Sequence, residues 1–526
     1  MMKLKKSMLA TVVAFGLLAC SCSKESTGPD TSNTSGANLN KVAGIYPAPP
    51  SGWTGTTNPY NTTGWVGDIM PYYDNGKFHL FFLHDAQTKP AGQGFHAIHK
   101  FESTNLLDFS YGGEMIPYGS TTQPDFAIGT GSTVKVGDTY YMYYTGHNGI
   151  SEFLMSNPRE SVLYATSKDL KTWIKNTTFK LTAPPEYYNF DFRDPHVFFN
   201  SEKNEYWMLI STQTVHSRKA VVLLYTSANP ATNNWTLKGP LYTTTEEERY
   251  LMMECADVFK MGNFWYMFFS ENWSSNKGTH YRIADSSEGP WRKPAHDMLD
   301  GEFFYAAKTE TDGAKRYLFG WTARRLPEND NGNKEWAGNM VAHELTQAAD
   351  GTLGVKVPGT VAAIFKNNLP LQVQKSAGAV TVNANTYQLN GSGAEAFYTF
   401  TPVNGTRKIQ AKLKADNNTG TTGFIFNANN YPEQGYKIVF EPQRGRVAAY
   451  NLTGGNPVEV TRVPFEFKAN TEYTIDIVLD GTICVVYIDG KAALSNRIYG
   501  MPGRQWGIFG HATQAEFSSL QISSPD

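Results

Sequence analysis

The chain has 526 residues, with 46 basic and 48 acidic side chains and a net charge of −2. That balance carries no basic stripe of the kind that neutralises phosphates, so nucleic acid is excluded as a partner. Four scattered cysteines and 11 His without ligand spacing exclude a disulfide framework and a CxxC or HExxH metal centre, so the chemistry reads as free of metal and cofactor.

The chain begins with a targeting segment. Lys3, Lys5 and Lys6 precede an apolar run from Met8 to Leu18 that is too short to span a bilayer. The run ends in Leu17-Leu18-Ala19-Cys20, which resembles the lipobox of bacterial lipoproteins and implies cleavage before Cys20 and a lipid on its thiol. Residues 1–20 are therefore read as a signal peptide. Residues 21–45, rich in Ser, Thr, Gly, Asn and Pro, are read as a flexible tether holding the protein at the cell envelope. Membrane contact is expected through the lipid alone.

From Gly67 onward one pattern repeats: a strand headed by a small or acidic residue, a short polar turn, and an aromatic-rich strand. Asp68 to Tyr73 is followed by Asn75-Gly76 and Lys77 to Phe82; Ser132 to Val136 by Gly137-Asp138 and Thr139 to Tyr144. Asp194 to Phe199 precedes Glu205 to Ile210, Glu254 to Phe259 precedes Phe264 to Phe269, and a weaker copy runs from Glu302 to Trp321. Such turns between aromatic or alternating runs are hairpin signals. A spacing of roughly 50 to 65 residues is what a four-stranded propeller blade needs, and five copies predict a five-bladed β-propeller over residues 46–365. If the head of each copy sits at one end of an innermost strand, Asp68, Asp194 and Glu254 converge on the axis. Gathering buried carboxylates is costly, which marks them as candidate catalytic residues.

Beyond a change of pattern between Thr346 and Gln374, short alternating strands separated by turns such as Asp480-Gly481 and Asp489-Gly490 predict a β-sandwich over residues 366–526. The fold class is all-β. No acidic cluster marks the sandwich, so it is assigned no catalytic residue.

Several segments, in order, resemble glycoside hydrolase family 32, the sucrose- and fructan-cleaving β-fructosidases. Trp65-Val66-Gly67-Asp68 stands where that family has Trp-x-Asn-Asp. Asp125 to Ser132 resembles its Ser-Gly-Ser segment. Phe192-Arg193-Asp194-Pro195 matches its Arg-Asp-Pro motif, and Glu254-Cys255 its Glu-Cys. Phe304-Tyr305-Ala306, Gly320-Trp321 and Trp336-Ala337-Gly338 with Glu344-Leu345 resemble later markers. The chain departs where Gly67-Asp68-Ile69-Met70-Pro71 stands for Asn-Asp-Pro-Asn-Gly, where Ala256 replaces Pro, and where His343 replaces the Arg before Glu-Leu.

The resemblance implies retaining hydrolysis of β-fructofuranosidic bonds in an oligo- or polysaccharide, with Asp68 as nucleophile and Glu254 as acid/base. Such chemistry needs two carboxyl groups about 5 Å apart across the scissile bond. Asp194 would receive sugar hydroxyls and steady the positive transition state. Arg193 would moderate the charge of the cluster. Trp65, Trp321 and Trp336 would wall the sugar, with Asp125 and Ser132 as further substrate-binding candidates. Cys255 is expected to be a small buried residue, Asp257 to be structural, and Glu246 to Glu248 to lie in a solvated loop. Two alternatives stand beside this reading. One is an inverting arabinosidase or xylosidase of the family 43 type, which shares the five-bladed propeller and three acids. The other is a non-catalytic glycan-binding lipoprotein.

Overall fold

The computed structural model describes residues 41–51, 64–87 and 94–526. The leader, Cys20 and the first part of the tether lie outside the described residues. Residues 40–526 form one compact unit. The described residues are predominantly β-structure, and the two α-helices among them have four residues each.

The first half is built from antiparallel groups whose first strands are Gly64–Asp74, Ala127–Val136, Tyr187–Asn200, Glu254–Met261 and Phe304–Thr311. These inner strands touch one another in that cyclic order, the last returning to the first, as a propeller's innermost strands do. Each pairs with the strand that follows it through a polar turn, and buried aromatic and aliphatic side chains between neighbouring groups fill the ring.

A similar irregularity recurs in every inner strand. Pairing breaks between Val66 and Ile69, Gly129 and Gly131, Arg193 and His196, Glu254 and Asp257, and Tyr305 and Lys308. These are β-bulges, which re-aim side chains and sharpen strand twist. At three of them a non-glycine residue takes the left-handed conformation: Asp194 at φ 61°, Cys255 at 57° and Ala306 at 54°.

The second half is a pair of facing sheets that begins where Phe365–Leu369 pairs with the C-terminal strand Gln514–Pro525. Its core is a continuous cluster including Phe424, Tyr436, Ile477, Val486, Leu494 and Trp506. A second apolar cluster is shared between the halves, with Phe268, Tyr281 and Val341 from the propeller and Val478, Val485 and Tyr487 from the sandwich.

Buried polar groups reinforce that junction. Asp300 receives Ser495 N at 2.7 Å and faces His343 Nε2 at 3.0 Å, while His343 Nδ1 lies 3.0 Å from the Tyr487 hydroxyl. His343 is thus a wedge between propeller and sandwich. Arg497 of the sandwich donates to the carbonyls of Ala323 and Thr322 and to Asn339. Those three residues flank the seam at which the last group meets the first. Among the described residues a single backbone pairing, Gly338 with Val66, closes that seam.

The tether ends earlier than composition suggests. Lys41 and Val42 pair with Ser110 and Phe109, and Ile45 and Tyr46 are buried against the propeller–sandwich junction. Asp480 of the sandwich accepts the Ile45 N–H at 2.8 Å, so residues 41–45 belong to the folded unit.

Candidate active site

The bulges determine which side chains meet at the axis. Arg193, Glu254 and Tyr305 are the last paired residues before their respective breaks, so they occupy equivalent positions in three consecutive groups. They bond to one another. Arg193 Nη1 donates to Glu254 Oε1 at 2.9 Å, and the Tyr305 hydroxyl donates to Glu254 Oε2 at 2.9 Å. Asp194, Cys255 and Ala306 share the next position. The three acids are therefore not register equivalents: Asp194 aligns with Cys255, and Glu254 with Arg193.

Each acid has a distinct setting. Asp68 lies in the bulge of the first inner strand, and its bonded partners among the described residues are donors. Thr130 Oγ1 donates to Oδ2 at 2.5 Å, Trp321 Nε1 donates to Oδ1 at 2.9 Å, and the Cys255 thiol lies 3.8 Å from Oδ2. Asp194 is buried; its Oδ2 accepts the Cys255 N–H at 2.9 Å, and its own N–H is given to Thr145 Oγ1 at 2.8 Å. Glu254 shows 18% of its side-chain surface between Arg193 and Tyr305.

Burial, joined by the charge of Glu254, pushes the Asp194 carboxyl up. Burial also raises Glu254, against the pull of Arg193 and the Tyr305 hydroxyl. Arg193 is itself held by Glu160, which receives Arg193 Nε at 3.0 Å and the Phe192 N–H at 2.9 Å. Burial works to raise the Glu160 carboxyl, but Arg193 and His147 outweigh it and hold it below the ordinary range. Four carboxyls around Arg193 (Glu160, Asp191, Asp194 and Glu254) leave the cluster rich in negative charge. It favours a proton on a carboxyl and a positive charge in whatever binds there.

The aromatic candidates divide by role. Trp321 is buried and bonds Asp68. Trp336 stacks on His96 with ring centres 4.4 Å apart and meets Trp321 edge-on at 6.0 Å. Its ring also covers Gly67: a Cβ at that position would come within 2.1 Å of a ring carbon. The loss of the Asn that the Trp-x-Asn-Asp pattern carries therefore has a physical partner, since any side chain at 67 would collide with Trp336. Trp65 lies half-buried under Arg324, whose guanidinium is 4.0 Å from its ring centre and pairs with Asp85.

Two of the expected substrate-binding residues are engaged elsewhere. Asp125 is buried, with Lys175 Nζ at 2.5 Å and the Tyr144 hydroxyl at 3.2 Å. Ser132 Oγ donates to the Pro195 carbonyl and accepts the Val197 N–H at 2.7 Å, which braces the Asp194 bulge from behind. Thr130, two residues earlier, is the hydroxyl that reaches Asp68. Sequence reasoning missed Thr130, Tyr305 and Glu160 as parts of the site; the Phe304-Tyr305-Ala306 marker was the available signal for one of them. Cys255 is buried beside Asp68 and burial pushes its thiol up, in keeping with a shaping role. Asp257 pairs with His196 and accepts the Thr309 N–H, away from the acids. Glu246 and Glu247 are exposed in a turn, as expected, whereas Glu248 of the same turn points inward and holds the buried Arg282 at 2.6 Å. Among the described residues no three His, Cys, Asp or Glu side chains are grouped to hold a metal ion.

Residues 61–353 match the model of the glycosyl hydrolases family 32 N-terminal domain, and residues 351–522 match that of the GH32, BT1760-like, C-terminal domain. The chain belongs to glycosyl hydrolase family 32. It is 26% identical to the raffinose invertase of Escherichia coli over 86% of this chain and 88% of that one. Its identity with the levanbiose-producing levanase of Bacillus subtilis is 23%, over 86% and 87% of the two chains. The sucrose-6-phosphate hydrolase of Lactobacillus gasseri shares the fold, with a TM-score of 0.67 at 18% identity over 89% of this chain and 94% of that structure. As a family 32 member the protein is a glycoside hydrolase, and its propeller and sandwich correspond to the two matched domains.

Proposed function

We propose that the protein is a retaining β-fructosidase, with Asp68 as nucleophile and Glu254 as acid/base. The observation that carries this reading is the contrast between the two carboxyls. The bonded partners of Asp68 among the described residues are donors, as an attacking carboxylate requires, while burial favours the protonated form of Glu254. The Cys255 thiol touches Asp68, and Cys255 directly follows Glu254, which keeps both acids on one small floor.

In the first step Glu254 passes its proton to the departing oxygen as Asp68 bonds to the anomeric carbon and the glycosidic bond breaks. In the second, Glu254 takes a proton from water, whose oxygen displaces Asp68 and restores both carboxyls. Asp194 accepts hydrogen bonds from ring hydroxyls and opposes the positive charge of the transition state. The relatives named for raffinose, levan and sucrose 6-phosphate support a substrate with a fructosyl unit. The Leu-Leu-Ala-Cys20 leader supports an enzyme anchored by lipid at the cell envelope.

Sugar release by the purified full-length protein from sucrose, inulin, levan and arabinan tests the reading, with Asp68→Asn beside it. Fructose or fructo-oligosaccharide from the wild type alone, released first as the β-anomer, is the expected result. Pentose release from arabinan would replace it with the furanosidase alternative, and binding without turnover with a glycan-binding protein.

A further inference from the structure

A second construction extends outward from Glu254. Asp191, two residues before Arg193, is the hub of three guanidiniums. Arg193 bonds its Oδ1, Arg159 Nη2 reaches the same oxygen at 3.1 Å, and Arg218 Nη2 lies 3.7 Å from Oδ2. Arg193 leads on to Glu254; the other two lie on aromatic rings. The Arg218 guanidinium is 3.7 Å from the ring centre of Tyr188, and that of Arg159 is 4.9 Å from the ring centre of Phe190.

Tyr188 and Phe190 are alternate residues of one strand, so their side chains share a face. Their ring centres are 5.6 Å apart and the planes differ by 28°. Neither ring belongs to the apolar clusters that fill this part of the propeller, and Phe190 is 37% exposed. Two near-parallel rings, each set against a tethered guanidinium, form a pre-ordered apolar surface beside the mouth of the site. Leaving such a surface to water is unfavourable unless a ligand covers it.

We propose that Tyr188 and Phe190 form a platform for the leaving-group portion of a fructan chain, which makes β-linked fructose oligomers and polymers, rather than sucrose, the preferred substrate class. The inference rests on the β-fructosidase reading. The leaving side follows from connectivity: the hub bonds Arg193, and Arg193 bonds Glu254, the group proposed to protonate the departing oxygen. Units beyond that oxygen therefore extend over the Arg193–Asp191 edge. A neutral sugar follows from the use of the donors. Arg159 Nε donates to the Phe190 carbonyl at 2.9 Å and Arg218 Nε to Gln213, which anchors one edge of each guanidinium beside its ring and leaves the remaining ring surface as carbon. Furanose C–H groups pack on such faces as other apolar groups do.

The test compares kcat/KM for levan- and inulin-type fructose tetrasaccharides with that for sucrose and sucrose 6-phosphate. It uses the full-length wild type, the Tyr188→Ala/Phe190→Ala double variant and Phe190→Trp. The expected result is a fall of about tenfold in the tetrasaccharide-to-sucrose ratio in the double variant, entering through KM, with the ratio retained by Phe190→Trp. Calorimetric binding of the tetrasaccharide to Glu254→Gln, with and without the two Ala substitutions, should weaken by a similar factor. Unchanged ratio and unchanged affinity would overturn the platform. So would a wild-type preference for sucrose 6-phosphate that the ring substitutions abolish. Absence of fructose release from every substrate would remove the β-fructosidase reading itself, and the calorimetric comparison would still decide whether the platform binds fructans.

Discussion

The inner strands of the propeller and the central strands of the sandwich are both short, apolar and antiparallel, yet their ladders differ. In the sandwich, Arg407–Ala415 pairs with Tyr473–Asp480, and that strand with Ile483–Ile488, residue for residue without a break. In the propeller every inner ladder breaks, and three of the breaks hold a non-glycine residue at positive φ. Such conformations cost roughly 1–3 kcal/mol each. The unbroken ladders make a core and nothing else, whereas the broken ones turn Asp68, Asp194 and Glu254 inward. Three carboxyls and three strained residues are thereby gathered at one end of the inner strands.

Substitutions at the breaks should cost activity, and those elsewhere stability. The largest effect is expected from Glu254→Gln, which keeps the bulge but removes the proton: kcat should fall by about 10³-fold or more with an unchanged melting temperature. Wild-type rates in that variant would sink the acid/base assignment.

Gly67→Asn comes next. It restores the amide of the Trp-x-Asn-Asp pattern but drives it into the Trp336 ring, an overpacking worth about 1–3 kcal/mol. Kinetics should show KM raised by roughly tenfold. The double variant with Trp336→Ala should recover part of the loss; additive losses would show that the two positions are uncoupled.

Tyr305→Phe removes a hydrogen bond that favours the ionised form of Glu254, so the Glu254 carboxyl should rise further. In its proposed acid role Glu254 donates only below its pKa. The alkaline limb of the rate profile should therefore move to higher pH, with kcat/KM reduced about threefold. A limb that moves down or stays fixed would separate Tyr305 from Glu254.

Asp194→Asn tests the cost of the cluster. Burial raises this carboxyl above its unfolded value, so its ionisation destabilises the fold progressively as pH climbs from the unfolded pKa through the folded one. The neutral amide should raise the melting temperature by about 2 °C at pH 8, with little change at pH 4, while activity is lost. On the sandwich side, Arg497→Met should destabilise the seam beside Val66. It removes a buried donor from three acceptors at the seam, and the melting temperature should fall by roughly 5 °C.

The fold was legible because its signals are local. Turns such as Asn75-Gly76 and Gly262-Asn263 separate strands of the right length, and their spacing repeats. The acids were legible as heads of those repeats. Their registers were not, because a bulge shifts the alternation by a residue without any mark in composition. That is why Ser132 looked like the site hydroxyl when Thr130 is the one on Asp68. Tyr305, Glu160 and the fit of Trp336 over Gly67 depend on contacts between groups far apart in sequence, which no window along the chain contains. Glu248 misled for the same reason: its partner Arg282 lies in another strand.

The seam has a mechanical consequence. A ring of strands under twist is only as strong as its joint. Here the joint runs past Val66, two residues from Asp68, and is fastened by an arginine of the other domain. The sandwich therefore acts as the clasp of the ring, and the precision of a proposed nucleophile it never touches is on loan from it. A lineage that shed this domain to shorten its gene would loosen the active site before it lost a single catalytic residue.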